Sequence, residues 1–318
     1  MGRRRPRLAI ITLLVAVVLI AGLALWRSGL LDLPPVPAGT SLESSGLAGL
    51  DSLAAEASGL SLNAPGEDER VLAELRAALA AAPSDLVIGN AYRMTVLRLI
   101  RQHLGAAAAT GELAPALPSY LEGEPTATLD RLQREHPSRE ATLQLALAWV
   151  DEMLLYPALE IKAPASVESV ELLTQIVEGS DPSYVPALYA RGLNYLHRPA
   201  RLVWPEHRKA PPDAASRDLG TAVAIGRRLG GGSPRLRATL ALALGDAHAK
   251  EGRKNVGRSW WQIARTASAD TSIRAAVDRR FSWGDGELLD RLEADLEARM
   301  LDLDPPMTDL SIMWEGGQ

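Results

Sequence analysis

No cysteine occurs anywhere in the chain, and the sequence holds one phenylalanine (Phe281) and four lysines (Lys162, Lys209, Lys250, Lys254). Without thiols there is no disulfide, no thiolate zinc site, no iron–sulfur cluster and no covalent haem of the c type. Aromatics make up only 4% of the residues, and β-branched residues are sparse beside Ala and Leu, so strands lack their usual material and an all-α fold is expected. Phosphate-loop, nucleophile-elbow, zincin and kinase signatures are all missing. The five histidines (His103, His136, His197, His207, His248) include no pair four residues apart. A net charge of −5 across 318 residues argues against a surface built to neutralise nucleic-acid phosphates. The expectation is a protein that is not an enzyme, with no cofactor, no metal and no nucleic-acid partner.

What is present begins with Arg3, Arg4, Arg5 and Arg7, followed by an uncharged run from Leu8 to Trp26. Nineteen helical residues span roughly 28 Å, close to the apolar thickness of a bilayer. Only Arg27 follows closely, so the positive-inside bias places the N-terminus in the cytoplasm and the body across the inner (cytoplasmic) membrane, in the periplasm or its equivalent. A cleaved signal peptide is the alternative, and it exports the body equally. Residues 1–27 are thus expected to be a transmembrane anchor. Residues 28–66, rich in Pro, Gly and Ser, are expected to be a flexible linker that holds the folded part away from the membrane.

After the linker, amphipathic helices alternate with proline turns. Leu72, Leu75 and Leu79 end before Pro83, with Ser84 as the expected cap of a long second helix. Leu129 and Leu132 stop at Pro137, and Ser138 is the expected cap of the next helix. Ser166 is expected to open another, running through Val170, Leu173 and Ile176. Gly230 to Gly232 with Ser233 read as a connector between helices rather than a phosphate cradle, since no strand precedes them and no lysine follows.

Near the end of the body Leu244, Gly245, His248, Gly252, Gly257, Trp261 and Ala264 stand at the small and large positions of paired helices, and Leu188, Gly192 and Tyr195 repeat the first half of that pattern. This spacing resembles the tetratricopeptide repeat, over about residues 166–271. His248, Gly257 and Ala269 depart from the usual residue types. The resemblance implies an α-solenoid of antiparallel helix pairs, with divergent repeats over 67–165, an insertion at 198–213, and a C-terminal capping helix and tail over 272–318. It also implies a concave face lined by first-helix residues, which for this sequence are Tyr189, Leu193, Leu242, Asp246 and Lys250. The C-terminal helix or the tail from Asp309 with Trp314 is an alternative occupant of that face.

The insertion adds Arg201, Trp204, Arg208 and Lys209 as candidate partner contacts, since Trp and Arg are enriched among residues that dominate interfaces. Acidic pairs such as Asp151 with Glu152 read as solvated helix surface, and a metal site from His197, Glu206 and His207 is the minor alternative to packing. The functional expectation is a membrane-anchored extracytoplasmic scaffold, or adaptor, for protein partners in an envelope complex. The rival is a periplasmic enzyme or glycan-binding protein housed in residues 84–165.

Overall fold

The computed structural model describes residues 33–48, 68–109, 117–155, 159–198, 211–267, 269–301 and 307–314. Twelve α-helices occur among them and no strand. These are α1 (Leu42–Ser45), α2 (Asp68–Ala81), α3 (Leu86–Ala109), α4 (Thr126–Glu135), α5 (Arg139–Leu155), α6 (Leu159–Thr174), α7 (Val185–His197), α8 (Ala214–Leu229), α9 (Pro234–Lys250), α10 (Lys254–Ala267), α11 (Thr271–Ser282) and α12 (Leu288–Leu301). A π turn, Gln175–Ser180, closes α6, and a 3₁₀ turn covers Leu310–Met313. No described helix is long and apolar enough to cross a membrane; the Leu8–Trp26 run lies outside the described residues.

The strongest packing is within successive pairs, α5 on α6, α7 on α8 and α9 on α10, with lighter contacts joining one pair to the next, and α2 with α3 makes a separate pair joined to α5. A smaller core gathers Leu72, Leu79, Tyr92, Ile100 and Leu129, while the larger one runs from Leu143 through α7 and α9 to Trp261 and Leu292. Helices such as α4 and α10 contribute one apolar stripe to these cores, whereas α5 and α9 are enclosed on nearly every side.

Helix crossings explain the glycines. A Cβ on Gly257 would stand 2.7 Å from the Gly245 carbonyl oxygen, and one on Gly245 would meet the Trp261 ring at 2.5 Å. So α9 and α10 touch almost backbone to backbone, with the buried Trp261 filling the space alongside. Gly192 of α7 admits Leu219 of α8 in the same way, at 2.7 Å from its would-be Cβ. Residues 198–213 join α7 to α8 in the chain, and 199–210 lie outside the described residues. Gly257→Ala is expected to cost about 1–3 kcal/mol despite alanine's better helix propensity, because the obstacle is a carbonyl that no rotamer change can move. Gly192→Ala meets a side chain and should cost less. Paired urea titrations would check the order, and an equal or reversed ranking would refute the rigid crossing.

Three buried Arg–Asp pairs tie helices together: Arg93 with Asp151, Arg191 with Asp218, and Arg280 with Asp246. Each guanidinium has moved into the interior with its counter-charge.

Several sequence expectations need correction. Asp85, not Ser84, caps α3, because its carboxylate accepts from the amides of Val87 and Ile88. Ser138 does cap α5, accepting from the Ala141 amide. Ser166 opens nothing: α6 begins at Leu159, contains Pro164, and buries the Ser166 hydroxyl against Asn194. The flexible-linker expectation fails at residues 33–48, which are packed on the body. Arg139 donates to the carbonyls of Ser44 and Glu43, Leu47 is buried, and the absent Cβ of Gly46 leaves room for the Tyr184 ring. Apolar Leu33, Val36 and Leu47 find core partners, which composition alone does not reveal.

Candidate functional site

The most specific polar arrangement in the body holds the chain's own residues 307–314. Here α3 contributes Asn90 and Arg93, α5 contributes Gln144 and Asp151, and Ser233 at the start of α9 completes the set. Asn90 and Arg93 are three residues apart on one helix and so share a face. Arg93 donates from Nε to Gln144 (2.6 Å), from Nη1 to Asp151 (2.8 Å), and from Nη2 to the Asn90 side-chain oxygen (3.1 Å) and the Thr308 carbonyl (2.9 Å). Thr308 Oγ1 donates to Asp151 at 2.5 Å. The Asn90 side-chain oxygen accepts from the Leu310 amide (2.9 Å), and its Nδ2 donates to the Asp309 carboxylate (2.8 Å). Farther along, Ser233 Oγ donates to the Ile312 carbonyl at 2.9 Å.

Three of these bonds reach main-chain atoms of the held segment, at Thr308, Leu310 and Ile312. Between them the apolar side chains of Leu310, Ile312, Met313 and Trp314 join the larger core. Asp309 organises the turn itself by accepting from the Ser311 amide at 2.8 Å. The result is a hydrogen-bonded rail beside an apolar core, a surface that holds a short turn-forming segment by its backbone. Both Arg93 and Asp151 have lost all contact with solvent.

This geometry overturns the expected placement of the concave-face residues. Tyr189, Leu193 and Leu242 are buried in the larger core, where α12 and the 3₁₀ turn pack against α7 and α9. Asp246 is also buried: it accepts two bonds from Arg280 (2.5 and 2.6 Å) and one from Trp261 Nε1 (2.8 Å). Lys250 is largely enclosed and donates to the carbonyls of Leu196 (2.8 Å) and Arg198 (2.6 Å); burial pushes its ammonium below the usual lysine range. None of the five lines an open surface, because the first-helix faces are already covered by later parts of the same chain. Arg201, Trp204, Arg208 and Lys209 lie outside the described residues.

Asp151 is likewise a correction, since it is the most enclosed carboxylate of the site rather than solvated helix surface. Sequence reasoning missed Asn90, Arg93 and Thr308 as well. The available signal was Asn90 and Arg93 on the apolar stripe of α3, between Val87 and Val96, where a polar residue needs a partner. His197 Nδ1 lies 3.1 Å from the Leu296 carbonyl, a packing role; Glu206 and His207 lie outside the described residues.

A second feature is a cavity of about 470 Å³ between α8 and α10, lined by Leu33, Pro34, Ser216, Arg217, Glu251 and Arg253 among others. Burial acts to raise the Glu251 carboxyl, but the neighbouring His248 ring 3.8 Å away and the hydrogen bonds from Arg253 and Ser216 outweigh it and hold the group below the usual range. No protein-family model, no curated protein and no solved structure matches this chain.

Proposed function

We propose that this protein is a membrane-anchored, extracytoplasmic helical scaffold that grips a short turn-forming peptide segment along α3, α5 and the start of α9, with residues 307–314 as the resident occupant. The observation that carries this reading is the main-chain grip at Thr308, Leu310 and Ile312. Bonds to backbone atoms are indifferent to most side chains, so a partner segment satisfies them equally. Selectivity then comes from Asp151 and Asn90, which favour a hydroxyl residue followed by an acidic one, and from the apolar pockets beyond.

The tetratricopeptide resemblance supports the reading through the close crossing of α9 on α10 at Gly245 and Gly257. The anchor rests on the uncharged Leu8–Trp26 run behind its arginine cluster. A tethered occupant competes at an effective concentration in the millimolar range, so a partner has to displace it. Weakening the occupant should therefore strengthen capture in trans. Full-length protein carrying Leu310→Ala is expected to bind a labelled peptide of residues 307–314 at least tenfold more tightly than the unsubstituted protein. A Leu→Ala change in a core costs about 2–5 kcal/mol, and 1.4 kcal/mol is already a factor of ten. Adding Asn90→Ala should abolish the gain. Fluorescence anisotropy with circular dichroism as a folding control reads both, and a folded Leu310→Ala protein without saturable uptake would sink the reading.

A second reading, a periplasmic ligand-binding protein, draws on the half-open cavity between α8 and α10, where Ser216, Glu251 and Arg253 combine with the apolar Leu33 and Trp260. That cavity lies outside residues 84–165, where such a site was expected.

A further inference from the structure

The N-terminal segment enters the body at one defined edge. Pro34 packs against α8 where a Cβ on Gly220 would stand 2.9 Å from it, and Leu33 lies beside it against the larger core. Only six residues, 27–32, separate Leu33 from Trp26 at the end of the uncharged run. At full stretch they bridge no more than roughly 25 Å, and the headgroup layer itself occupies about 5–8 Å on each side of a bilayer. The edge that bears Leu33 is held on a short leash.

That edge is also where cations collect. Arg217 and Arg253 are exposed and line the cavity with Leu33 and Pro34. Lys254 and Arg258 follow at the start of α10, a helix with no acidic residue along its length. The acids nearby are Asp213, Glu251 and Asp285; Arg253 binds Glu251, and Arg258 binds Asp285. These four cations outnumber the three acids by one in a body that is acidic as a whole, so the positive excess beside the chain's entry point is a local property rather than a reflection of composition.

We propose that the edge formed by Leu33–Pro34, the start of α8 and the start of α10 rests on an anionic lipid surface, so that the body lies against the bilayer. The inference rests on the anchored reading above. Short reach and complementary charge act together, because the leash keeps the arginines near the headgroups whose field fades within about 8–10 Å at physiological salt. The orientation follows: α8 and α10 present their first turns to the membrane, while the starts of α5 and α7, tied by Arg139 to Asp181 and close in sequence to Glu135, lie at the opposite helix ends.

The absence of cysteine makes the test direct, since each introduced thiol is unique in the full chain. A dye is placed at Asn255→Cys on α10 or at Glu135→Cys on α4, and the protein is reconstituted in vesicles carrying a headgroup quencher. The vesicles are either phosphatidylcholine alone or phosphatidylcholine mixed with phosphatidylglycerol. Quenching at Asn255→Cys should exceed that at Glu135→Cys by roughly threefold in the anionic vesicles. It should fall towards the Glu135→Cys level in neutral lipid, in high salt, or when Arg217→Glu is added. Equal quenching at both positions, or quenching blind to lipid charge, overturns the proposal while the chain stays in the membrane through an alkaline wash. If the wash extracts the chain, the anchored reading has failed and this inference falls with it.

Discussion

Asp151→Ala should be the most damaging of the single substitutions considered, lowering the free energy of unfolding by about 3–5 kcal/mol. The cost comes from what stays behind. The Arg93 guanidinium would sit wholly buried with only the neutral partners Gln144, Asn90 and the Thr308 carbonyl. Thr308 would also lose the acceptor of its hydroxyl proton. The opposite deletion, Arg93→Ala, leaves a carboxyl that escapes much of its penalty by binding a proton, so it should cost less. Urea unfolding followed by circular dichroism gives the magnitude. Limited proteolysis gives the mechanism, because cleavage within 307–314 should precede cleavage of the body. An unshifted urea midpoint would mean that water reaches Arg93 freely, and the buried grip would then be wrong.

Asp246→Ala is expected to cost about 3 kcal/mol, somewhat less than the first substitution. Arg280 is as deeply buried as Arg93, but Asp295 stands 3.1 Å away and remains as a second carboxylate. Against that, Trp261 Nε1 loses its acceptor, and a buried donor without a partner costs roughly 1–3 kcal/mol by itself. Asp246→Asn should fall between, since one amide oxygen can serve either Trp261 or Arg280 but not both fully. Trp261→Phe removes one claimant on Asp246, so its cost should be non-additive with Asp246→Ala. Additive losses in that cycle would deny the shared carboxylate.

Both aspartates were misplaced by sequence reasoning, and for the same physical reason. Helix period identifies which residues share a face, as it did for Leu72, Leu75 and Leu79 of α2 and for Leu129 and Leu132 of α4. The glycine spacing anticipated the α9–α10 crossing. Period does not say what will later cover a face. Asp246 reads as groove surface until Arg280, 34 residues on, closes over it, and Asp151 reads as solvent until Thr308 arrives, 157 residues on. The covering elements are short, polar in part and distant in sequence, so no local window contains them. Leu33 and Leu47 were hidden similarly, because a stretch dense in Pro, Gly and Ser looks unstructured unless its few apolar side chains are matched to distant pockets.

The long separation has a temporal consequence. Asn90 and Arg93 leave the ribosome 215–220 residues ahead of the backbone atoms that satisfy them. At ordinary translation speeds of about 5–20 residues per second, that is a delay on the order of 10–40 s. During this interval a buried-type arginine and a greasy channel are both uncovered, in a chain already under way. Nascent protein thus waits in a sticky, incompletely neutralised condition, and any product stopped short of Leu310 stays there. Such fragments would be natural prey for quality-control proteases, and late synthesis becomes the step at which the whole molecule turns resistant.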